Sequence, residues 1–542
     1  MLQPNELRQD QPLLWSTGKG TDVWDLFCAC IAGDLAAVER LVNHDPALVR
    51  AHYAYRTPLY FAVRENRIPV VEFLLRRGAD PLSLAANDSL LDICNDRGYT
   101  ELARILEANY RRVQNASPAG EPVAAAIRAG NLEQMKALLD AKPELLHVGD
   151  ARSNQSIHWA VMTRRIDFID ALLARGADIN AARFDGARPI QLTNGDYHFR
   201  GWRDVPKDWP TSPQQVLDHL RQRGAYVDIC TACHVGDIDR VRELLDADPS
   251  LANRNSEYVT YYAGSGTPLN NAAAKGHLEI VQLLLDRGAD PNLPEEGIAP
   301  KGHALYSAAA NGHYDIAKLL LERGAFPNPP VESSADALSR AISNKDQRMI
   351  ELLCTYGAAR PLDLLAYYGD VQTAAAMLQA NPALANDPDA LSNAAGEGQE
   401  AFMRLLFHYV PDLPKRVQFP GWSTGAKTRE LNELLFAHGL SPSQPDWLMV
   451  TPLHQFARKG DAEKAELFIA HGANLHARDE DICSTPLGWA AKYNQLAMVE
   501  LLLRAGAKSN LDDDPPWATP LAWATRRGHQ EVAALLLQHG AH

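Results

Sequence analysis

Side chains suited to proton transfer and to holding charge are concentrated in residues 194–212 (NGDYHFRGWRDVPKDWPTS). Asp196 and His198 in this stretch are of the types that serve as general acid and base. The residues that would hold a ligand beside them are cations and aromatic rings: Arg200, Trp202, Arg203 and Trp209, with Tyr261 and Tyr262 further along. Aromatic faces and a few polar groups suit a carbohydrate-like ligand. Hydrolysis, elimination and isomerisation all stay open as reactions.

The same stretch also has a structural interpretation. A solvated spacer is expected to be rich in Gly and Ser and poor in tryptophan, which this one is not. Its tryptophans therefore indicate packing. They serve either as a wall over a bound ligand or as a plug against neighbouring helices, and the sequence leaves both alternatives open.

Other sequence motifs give weaker signals of chemistry. The string CTACH (230–234) matches the pattern of covalent haem attachment. However, DICTACHVGD (228–237) aligns position for position with DLFCACIAGD (25–34), which predicts Cys233 and Cys30 as small buried residues of a helix. The histidines show no metal-ligand spacing, and common phosphate-loop, dinucleotide and hydrolase motifs do not occur. We therefore expect neither a metal nor a cofactor.

A repeated unit must position these side chains. Threonine–proline pairs begin evenly spaced units at Thr451, Thr485 and Thr519, and further units at Thr57 and Thr267. Glycine–alanine pairs end units at corresponding places: Gly78, Gly176, Gly224, Gly288, Gly324, Gly357, Gly472, Gly506 and Gly540. A period of about 34 residues is typical of stacked helical repeats.

One unit illustrates the local physical chemistry. Thr519 is a good N-cap, and Pro520 fits the first helical turn, where its missing N–H costs little. Gly528 ends this short first helix, and a second helix is predicted over residues 530–538 with its apolar residues on one face. Gly540 then supplies the left-handed conformation that stops the second helix.

The unit resembles the ankyrin repeat. The clearest copies are TPLNNAAAKGHLEIVQLLLDRGADPN (267–292) and TPLAWATRRGHQEVAALLLQHGA (519–541). The resemblance implies an all-α solenoid of about 15–16 units that forms a curved superhelix, with short β-hairpin fingers between units. A second repeat type ends in a proline turn instead, at residues 45–49, 142–146, 248–252 and 381–385.

Breaks in the repeat predict how the chain is divided. The predicted segments are an N-terminal extension (1–21), N-terminal repeats (22–186), a degenerate repeat (187–227) that carries the insert 194–212, central repeats (228–388), degenerate repeats (389–446) and C-terminal repeats (447–542). In the degenerate segment the pattern predicts that a first helix is missing near Trp422, which we interpret as a plug for the gap.

The resemblance also implies a recognition surface, made of the fingers and the two residues before each hinge glycine. Carried onto this chain, the surface includes Lys275, Asn311, Arg458, Lys459, Lys492, Tyr493, Arg526 and Arg527. The last three units thus present a basic column, and acids occur on their fingers at 479–481 and 512–514. One interpretation is an anion pocket with an acidic rim; the other is charge neutralisation across neighbouring surfaces.

Recurrent aromatic and histidine positions in the first helices have a packing interpretation. Phe61, Trp159, Trp489 and Trp523 recur at one position, which predicts interrepeat packing. The family places a structural hydrogen-bonding histidine beside it, where this chain has Tyr60, His158, Tyr306 and His454. The resemblance therefore implies that these residues link adjacent loops and are not catalytic.

Composition limits the partners. The formal net charge is −14, which argues against nucleic acid, because phosphate binding needs clustered Lys and Arg. Seven scattered cysteines and the lack of a signal-like or membrane-spanning apolar run favour a cytoplasmic protein, although secretion without a readable signal stays open.

Two functions follow from these observations. The first is recognition of a partner protein through the concave groove of the array. The alternative is a small polar ligand, carbohydrate-like, bound or turned over in a groove walled by the 194–212 insert.

Overall fold

The computed structural model describes every residue except 82–87, 116, 151, 197, 257–261, 333–335 and 417–424, and gives only the backbone of 113–114. The chain forms two compact units, which we call the long unit (Asp10–Ala359) and the short unit (Met1–Gln9 with Arg360–His542). The described residues are arranged as helix pairs, which confirms the predicted all-α repeat fold. No described helix has the length and apolar character needed to cross a bilayer.

The described residues of the long unit form twenty α-helices, which alternate mostly as first and second helices of successive repeats. They are α1 (Gly20–Ala32), α2 (Leu35–His44), α3 (Pro58–Arg64), α4 (Ile68–Arg76), α5 (Leu90–Arg97), α6 (Thr100–Gln114), α7 (Glu121–Arg128), α8 (Leu132–Ala141), α9 (Ser156–Met162), α10 (Ile166–Leu173), α11 (Gly201–Asp204), α12 (Pro213–Gln222), α13 (Ile229–Val235), α14 (Ile238–Ala247), α15 (Pro268–Lys275), α16 (Leu278–Asp286), α17 (Ala304–Ala310), α18 (Tyr314–Glu322), α19 (Ala337–Ser343) and α20 (Gln347–Thr355).

The short unit continues the same alternation. Its α-helices are α21 (Leu362–Tyr368), α22 (Val371–Ala380), α23 (Pro388–Glu397), α24 (Glu400–Tyr409), α25 (Arg429–Ala437), α26 (Pro452–Lys459), α27 (Ala462–Ala470), α28 (Pro486–Lys492), α29 (Leu496–Arg504), α30 (Pro520–Arg527) and α31 (Gln530–Gln538). Trp422, predicted as a plug in the degenerate segment, lies outside the described residues.

Short 3-10 helices occupy the places where the second repeat type was predicted. Those at the four proline turns are Pro46–Arg50, Pro143–His147, Pro249–Asn253 and Pro382–Ala385, and the others are Glu6–Arg8, Pro118–Gly120, Pro189–Leu192 and Leu413–Arg416. Aspartates cap two of the proline turns, as at Asp45, whose carboxylate accepts a hydrogen bond from the backbone N–H of Ala47. The proline turn is therefore an alternative way to end the second helix.

The predicted threonine caps and glycine stops are present. Thr267 Oγ1 accepts a hydrogen bond from the backbone N–H of Asn270 at 3.0 Å, which satisfies one of the amides exposed at a helix start. Gly288 has φ of +87°, a conformation that L side chains rarely adopt. Leu284 of α16 and Leu320 of α18 have no exposed surface and belong to one continuous apolar core between these caps.

The fingers are shorter than the β-hairpins predicted for them. The described residues contain no strand, but four isolated antiparallel bridges, among them Tyr53–Arg56 and Glu295–Ala299. Successive fingers are joined by asparagine side chains: Asn292 Nδ2 donates to the Gly324 carbonyl oxygen, and Asn292 Oδ1 accepts from the backbone N–H of Phe326. Hydrogen bonds through asparagine thus do the joining that strand pairing was expected to do.

Fingers distant in sequence also meet within the long unit. Tyr55 Oη donates to a Glu332 carboxylate oxygen at 3.0 Å, and Arg50 lies 3.8 Å from the carboxylate of Glu296. These contacts are exposed, so each contributes little to stability in water. They show that the first and later fingers of this unit lie side by side.

Candidate binding surface

Three first helices of the short unit, α26, α28 and α30, end in cations that alternate with aromatic rings. The guanidinium carbon of Arg458 lies 5.5 Å from the centre of the Tyr493 ring, and Lys492 Nζ lies 5.8 Å from the same centre. Lys492 Nζ lies 4.6 Å from the Trp523 ring centre, and the guanidinium carbon of Arg526 lies 4.4 Å from it. We call Arg458, Tyr493, Lys492, Trp523 and Arg526 the cation–aromatic ladder.

The ladder has a buried part and an accessible part. Lys492 is 6% exposed and Trp523 is 1% exposed, so they form its base. The accessible residues are the half-buried Arg458 and Tyr493 and the exposed Lys459, Arg526 and Arg527. Of the six positions chosen from the sequence in these three repeats, Arg458, Lys492, Tyr493 and Arg526 take part in the cation–ring contacts, and Lys492 is largely buried. Cation–ring contacts of this kind contribute about 0.5–2 kcal/mol each, depending on desolvation.

Two buried tryptophans orient the base of the ladder. Trp489 Nε1 donates to a carboxylate oxygen of Asp479 at 2.9 Å. Trp523 Nε1 donates to Ser484 Oγ at 2.8 Å, and Ser484 Oγ donates to the Ala518 carbonyl oxygen at 2.8 Å. Because both indole nitrogens are satisfied by the finger before α28, the rings are fixed and cannot swing away from the cations.

The finger behind the ladder contains a perturbed carboxyl. Burial and the neighbouring Asp481 raise the pKa of Asp479 to about 6. Its carboxylate also accepts hydrogen bonds from the backbone N–H groups of Ile482 and Ser484, which act in the opposite direction. Asp479 is therefore a structural acceptor that binds a proton at higher pH than an ordinary aspartate.

The acids of the following finger are engaged by an arginine. Both guanidinium nitrogens of Arg478 donate to the carboxylate of Asp513, at 2.8 and 2.9 Å, and one donates to Asp514 at 2.6 Å. The structure thus shows neutralisation of the predicted acidic rim by a cation of the preceding finger. Arg478 is not a residue of the ladder, so this pairing involves none of the ladder cations.

The corresponding positions in the central repeats are Ala274 and Lys275 in one unit and Ala310 and Asn311 in the next, so they carry a single charge. Lys275 and Asn311 are exposed at the ends of α15 and α17, and Asn311 Nδ2 donates to the Ser307 carbonyl oxygen at 2.8 Å. Behind them, Ser307 Oγ donates to Asn270 Oδ1 at 2.7 Å. This part of the array therefore presents small hydrogen-bonding groups where the C-terminal repeats present cations and rings.

The insert 194–212 is tied to its repeat by a buried ion network. The Asp196 carboxylate, in a side chain that is 2% exposed, lies 2.9 Å from the Arg183 guanidinium. Arg183 also lies 3.1 Å from the Asp185 carboxylate and donates to Tyr262 Oη at 3.0 Å. Burial works against ionisation of Asp196, but Arg183 and the N–H donors of Phe199 and His198 bring its pKa below the ordinary value. This geometry favours an ionised, structural Asp196.

His198 lies at the edge of this network. Its backbone N–H donates to Asp196 Oδ1 at 2.8 Å, so the two predicted catalytic residues are adjacent. Burial, followed by the charge of Arg152, lowers the pKa of His198 to about 4, so the imidazole is neutral at physiological pH. Arg203 donates to the His198 carbonyl oxygen at 2.7 Å.

The two insert tryptophans lie in different environments. Trp202 is 63% exposed, and the Arg200 guanidinium lies 5.2 Å from its ring centre. Trp209 is half-buried: its Nε1 donates to the Arg164 carbonyl oxygen at 3.3 Å, and Arg165 lies 4.7 Å from its ring centre. Trp209 anchors the insert, whereas Trp202 offers an open face. Tyr261 lies outside the described residues, and Tyr262 is buried in the ion network.

The packing interpretation of the recurrent first-helix residues is confirmed. Trp159 is 6% exposed and donates from Nε1 to Asp150 at 2.8 Å, as Trp489 does to Asp479. His158 Nε2 lies 2.9 Å from the Ala181 carbonyl oxygen, a link between adjacent loops. In the α28 repeat Gly488 occupies the place of His158, and the Ser484 hydroxyl makes the link to the next finger instead.

Several important residues were missed in the sequence. Arg183 gave no signal because its importance depends on Asp185, Asp196 and Tyr262, which converge only in three dimensions. The aspartate–tryptophan pairs did have a signal: an aspartate precedes the first-helix tryptophan by a similar distance in both repeats. A search for polar residues repeated at a fixed distance from the tryptophans would have found them.

Cys30 and Cys233 are fully buried in first helices, as predicted. All seven cysteines are free thiols, and within the described ranges no group of three or more His, Cys, Asp or Glu side chains is arranged to hold a metal ion. Burial raises the pKa of Cys233, which fits a small apolar residue and not a reactive thiolate.

Family comparisons match the repeat architecture. A model for ankyrin repeats in three copies matches residues 20–84, 426–513 and 453–542, and a model for ankyrin repeats in many copies matches residues 269–321. The matched regions include α1–α4, α15–α18 and all three helices of the ladder.

Curated relatives are similar over limited parts. The E3 ubiquitin-protein ligase XBAT32 of Arabidopsis thaliana is 28% identical over 191 residues, covering 32% of this chain and 37% of the relative. The probable E3 ubiquitin-protein ligase XBOS33 of Oryza sativa subsp. japonica is 46% identical over 65 residues, 12% of each chain. Palmitoyltransferase ZDHHC13 of Homo sapiens is 25% identical over 139 residues, covering 25% of this chain and 22% of the relative. The chain therefore spans well under half the length of each of these relatives.

Proposed function

The chain is an ankyrin repeat protein, and from this premise we propose that it recognises a partner protein on the side of the array where the first helices end. Repeat arrays offer extended surfaces of this kind, on which a few anchors supply most of the affinity. In this chain the cation–aromatic ladder supplies those anchors. Arginine and aromatic residues are the types most enriched among such anchors in protein interfaces.

The observation that carries the proposal is the placement of cations and rings on three adjacent helices. Arg458, Tyr493 and Arg526 are accessible, while Trp523 and Lys492 behind them are buried and fixed. Such a surface is preorganised, because binding orders few further side chains and therefore loses little entropy. Surface charges that served only solubility would not require aromatic rings fixed between the cations of the ladder.

The similarity to these relatives also favours partner binding as the function. Their names describe two different activities, ubiquitin ligation and palmitoyl transfer, while each matches only a part of this chain. Proteins with different activities thus match parts of one chain, in which the family models identify ankyrin repeats. Partner binding is therefore the function that these similarities favour, and neither activity is carried over.

Affinity capture tests the proposal. The full chain is immobilised, and proteins retained from an extract are compared with those retained by the double variant Arg458→Glu/Arg526→Glu. We expect at least one protein that the native chain retains and the double variant loses, since two anchors change sign. Interface anchors typically cost about 2 kcal/mol or more when removed.

A matched control separates this effect from a general change in charge. Arg404 of α24 is an exposed arginine on a second helix, paired with Glu400 and distant in sequence from the ladder helices. Arg404→Glu should retain the same protein. Equal retention by the native chain, the control and the double variant would contradict partner binding through the ladder.

A second candidate function rests on the insert. His198 is neutral and half-buried beside Asp196, and Trp202 presents an open ring next to Arg200. We propose for this place a small polar ligand, carbohydrate-like and anionic, stacked on Trp202, with the neutral His198 as the candidate base and the ionised Asp196 as the residue that positions it. A thermal-shift screen with sugar acids tests it: a rise of several degrees that Trp202→Ala abolishes supports the site, and a flat screen contradicts it.

A further inference from the structure

The same local frame occurs twice in this protein, once in each unit. In the long unit it is the α9 repeat with Trp159, and in the short unit it is the α28 repeat with Trp489. Each tryptophan is buried and donates its indole N–H to an aspartate of the preceding finger. An arginine of the preceding first helix stands the same number of residues before each tryptophan, Arg128 in one case and Arg458 in the other. The two frames differ in where this arginine lies: Arg128 is 4.5 Å from the Trp159 ring centre, whereas Arg458 is 5.5 Å from the Tyr493 ring centre.

In the α9 repeat the protein covers the frame with its own insert. The Phe199 ring packs edge-on against Trp159, with the ring centres 5.4 Å apart. Asp196, three residues earlier, places its carboxylate on Arg183. The insert thus occupies this frame with an aromatic ring, while its carboxylate is held by Arg183 of the following finger, a position at which the α28 repeat has Asp513.

In the α28 repeat no insert interrupts the next first helix. α30 runs without a break to Arg527, whereas in the insert-bearing repeat the corresponding helix stops at Leu192. The helix ends that the insert covers in one unit are accessible in the other, where Arg458 and Tyr493 are half-buried and Arg526 is exposed. Two of these three accessible residues are cations, and Lys459 and Arg527 add two more beside them.

From this comparison we infer that the ladder takes a short acidic segment of a partner protein, one that carries an aromatic side chain between carboxylates. The inference rests on the proposed partner-binding function and names the chemistry of the partner. Carboxylates would pair with Arg458 and Arg526, whose planar guanidinium groups bind carboxylates in two-pronged geometry. The aromatic side chain would pack on the half-buried Tyr493.

The charge of the whole chain limits the partner to a local acidic segment. The net charge is −14, which disfavours a long polyanion. Asp512 and the Arg478-paired Asp513 and Asp514 precede α30, whereas Glu480, before α28, is paired with the N-terminal ammonium of Met1 at 2.8 Å. A single-stranded nucleic acid, which also favours cations and rings, would have to pass these carboxylates with a phosphate at every nucleotide. A peptide can place its charges only where the ladder is.

Fluorescence anisotropy with defined probes tests the inference. The probe is a short fluorescein-labelled peptide rich in glutamate with one central phenylalanine, and the titrant is the full chain. Matched peptides replace every glutamate by glutamine or the phenylalanine by alanine, and a labelled oligouridylate of the same length is the nucleic acid probe. We expect the acidic aromatic peptide to bind, and both matched peptides to bind at least about tenfold more weakly.

Variants then locate the binding. Arg458→Gln/Arg526→Gln should weaken binding of the acidic aromatic peptide by about tenfold or more, while Arg404→Gln leaves it unchanged. Arg458 is half-buried and Arg526 exposed, so circular dichroism and the melting temperature are expected to show an intact fold. Added salt should weaken binding of the native chain more than that of the double variant.

The outcomes separate this inference from the proposed function. If capture finds a ladder-dependent partner but the acidic aromatic peptide does not bind, the partner chemistry is wrong and the proposed function stands. If the peptide binds as expected while no captured protein depends on the ladder, the partner chemistry is supported and the proposed function fails. Tighter binding of oligouridylate than of the peptide would overturn the inference in favour of nucleic acid.

Discussion

Residues 150–227, which hold the α9 repeat and the insert-bearing repeat after it, differ from the consensus repeats (267–325) in one buried feature. Both stretches are joined by apolar side chains without exposed surface: Leu284 and Leu320 in the consensus repeats, Leu172 and Leu220 in residues 150–227. In residues 150–227 a buried guanidinium, Arg183, also holds two carboxylates and a phenol. The insert is thus attached to an apolar core by ion pairing, which is more sensitive to single changes.

The comparison extends to one equivalent position in the first helices. His158 is the third residue after Gln155, the N-cap of α9, and Asn270 is the third residue after Thr267, the N-cap of α15. Both side chains are buried. His158 can take up a proton and Asn270 cannot. The two stretches should therefore differ in their response to substitution and to pH, which the following predictions use.

The largest effect is expected from Arg183→Met. The change leaves the Asp196 carboxylate, 2% exposed, without its cation, and breaking a buried pair on one side costs about 3–5 kcal/mol. Hydrogen exchange over residues 183–200 should rise strongly. Arg175→Met is the control, since Arg175 pairs with Asp140 at the surface and should cost about 1 kcal/mol or less. Equal effects of the two variants would mean that the network does not stabilise the insert.

The apolar counterpart is Leu284→Ala. Leu284 is fully buried in α16, and removal of its side chain should lower the free energy of unfolding of the consensus repeats by about 2–5 kcal/mol. Leu278→Ala on the same helix is the matched control, because Leu278 is 42% exposed and should cost far less. Urea unfolding followed by hydrogen exchange measures both. A loss for Leu284→Ala no larger than for the control would contradict a continuous apolar core.

The same two stretches show which structural features could be predicted from the sequence. The helix pairs, their threonine caps and their glycine stops follow from local rules, so Thr267 and Gly288 were placed correctly. The proline turn was recognised as a helix ending, and its 3-10 geometry at Pro249–Asn253 was added by the structure. Local rules suffice wherever a residue acts on neighbours a few positions away.

The candidate sites followed less completely from the sequence. The ladder cations were chosen from a position rule, and the structure brings them together, but their alternation with Tyr493 and Trp523 is a property of stacking. Asp196 was chosen for its chemistry, and its pairing with Arg183 could not be foreseen because the two side chains meet only after the insert folds back. Contacts set by an irregular loop are not encoded in a repeat pattern.

A smaller effect is expected from pH. Burial and the charge of Arg183 lower the pKa of His158 to about 3, from an ordinary value of 6.5. The unfolded chain therefore binds the proton at a higher pH than the folded chain does. The stability that comes from a neutral His158 is complete above pH 6.5 and is lost as the pH falls towards 3. At pH 5 the loss is on the order of 2 kcal/mol. His158→Asn, which installs the residue that α15 has at this position, should flatten the pH dependence of melting between pH 6.5 and 5. An unchanged slope would contradict a buried neutral His158.

The smallest effect is expected from the asparagine bridges between consensus fingers. Asn292 Nδ2 donates to the Gly324 carbonyl oxygen at 2.8 Å, and Asn292 Oδ1 accepts from the Phe326 N–H at 2.7 Å. Because both bonds lie near solvent, which replaces them, Asn292→Ala should cost only about 1 kcal/mol. Asn253→Ala removes the equivalent bridge one repeat earlier and should cost the same. Since the bridges share no partner, the double variant should show the sum of the two losses in urea unfolding. A markedly larger loss would mean that neighbouring fingers are coupled, and that the consensus repeats share the network character of the insert-bearing repeat.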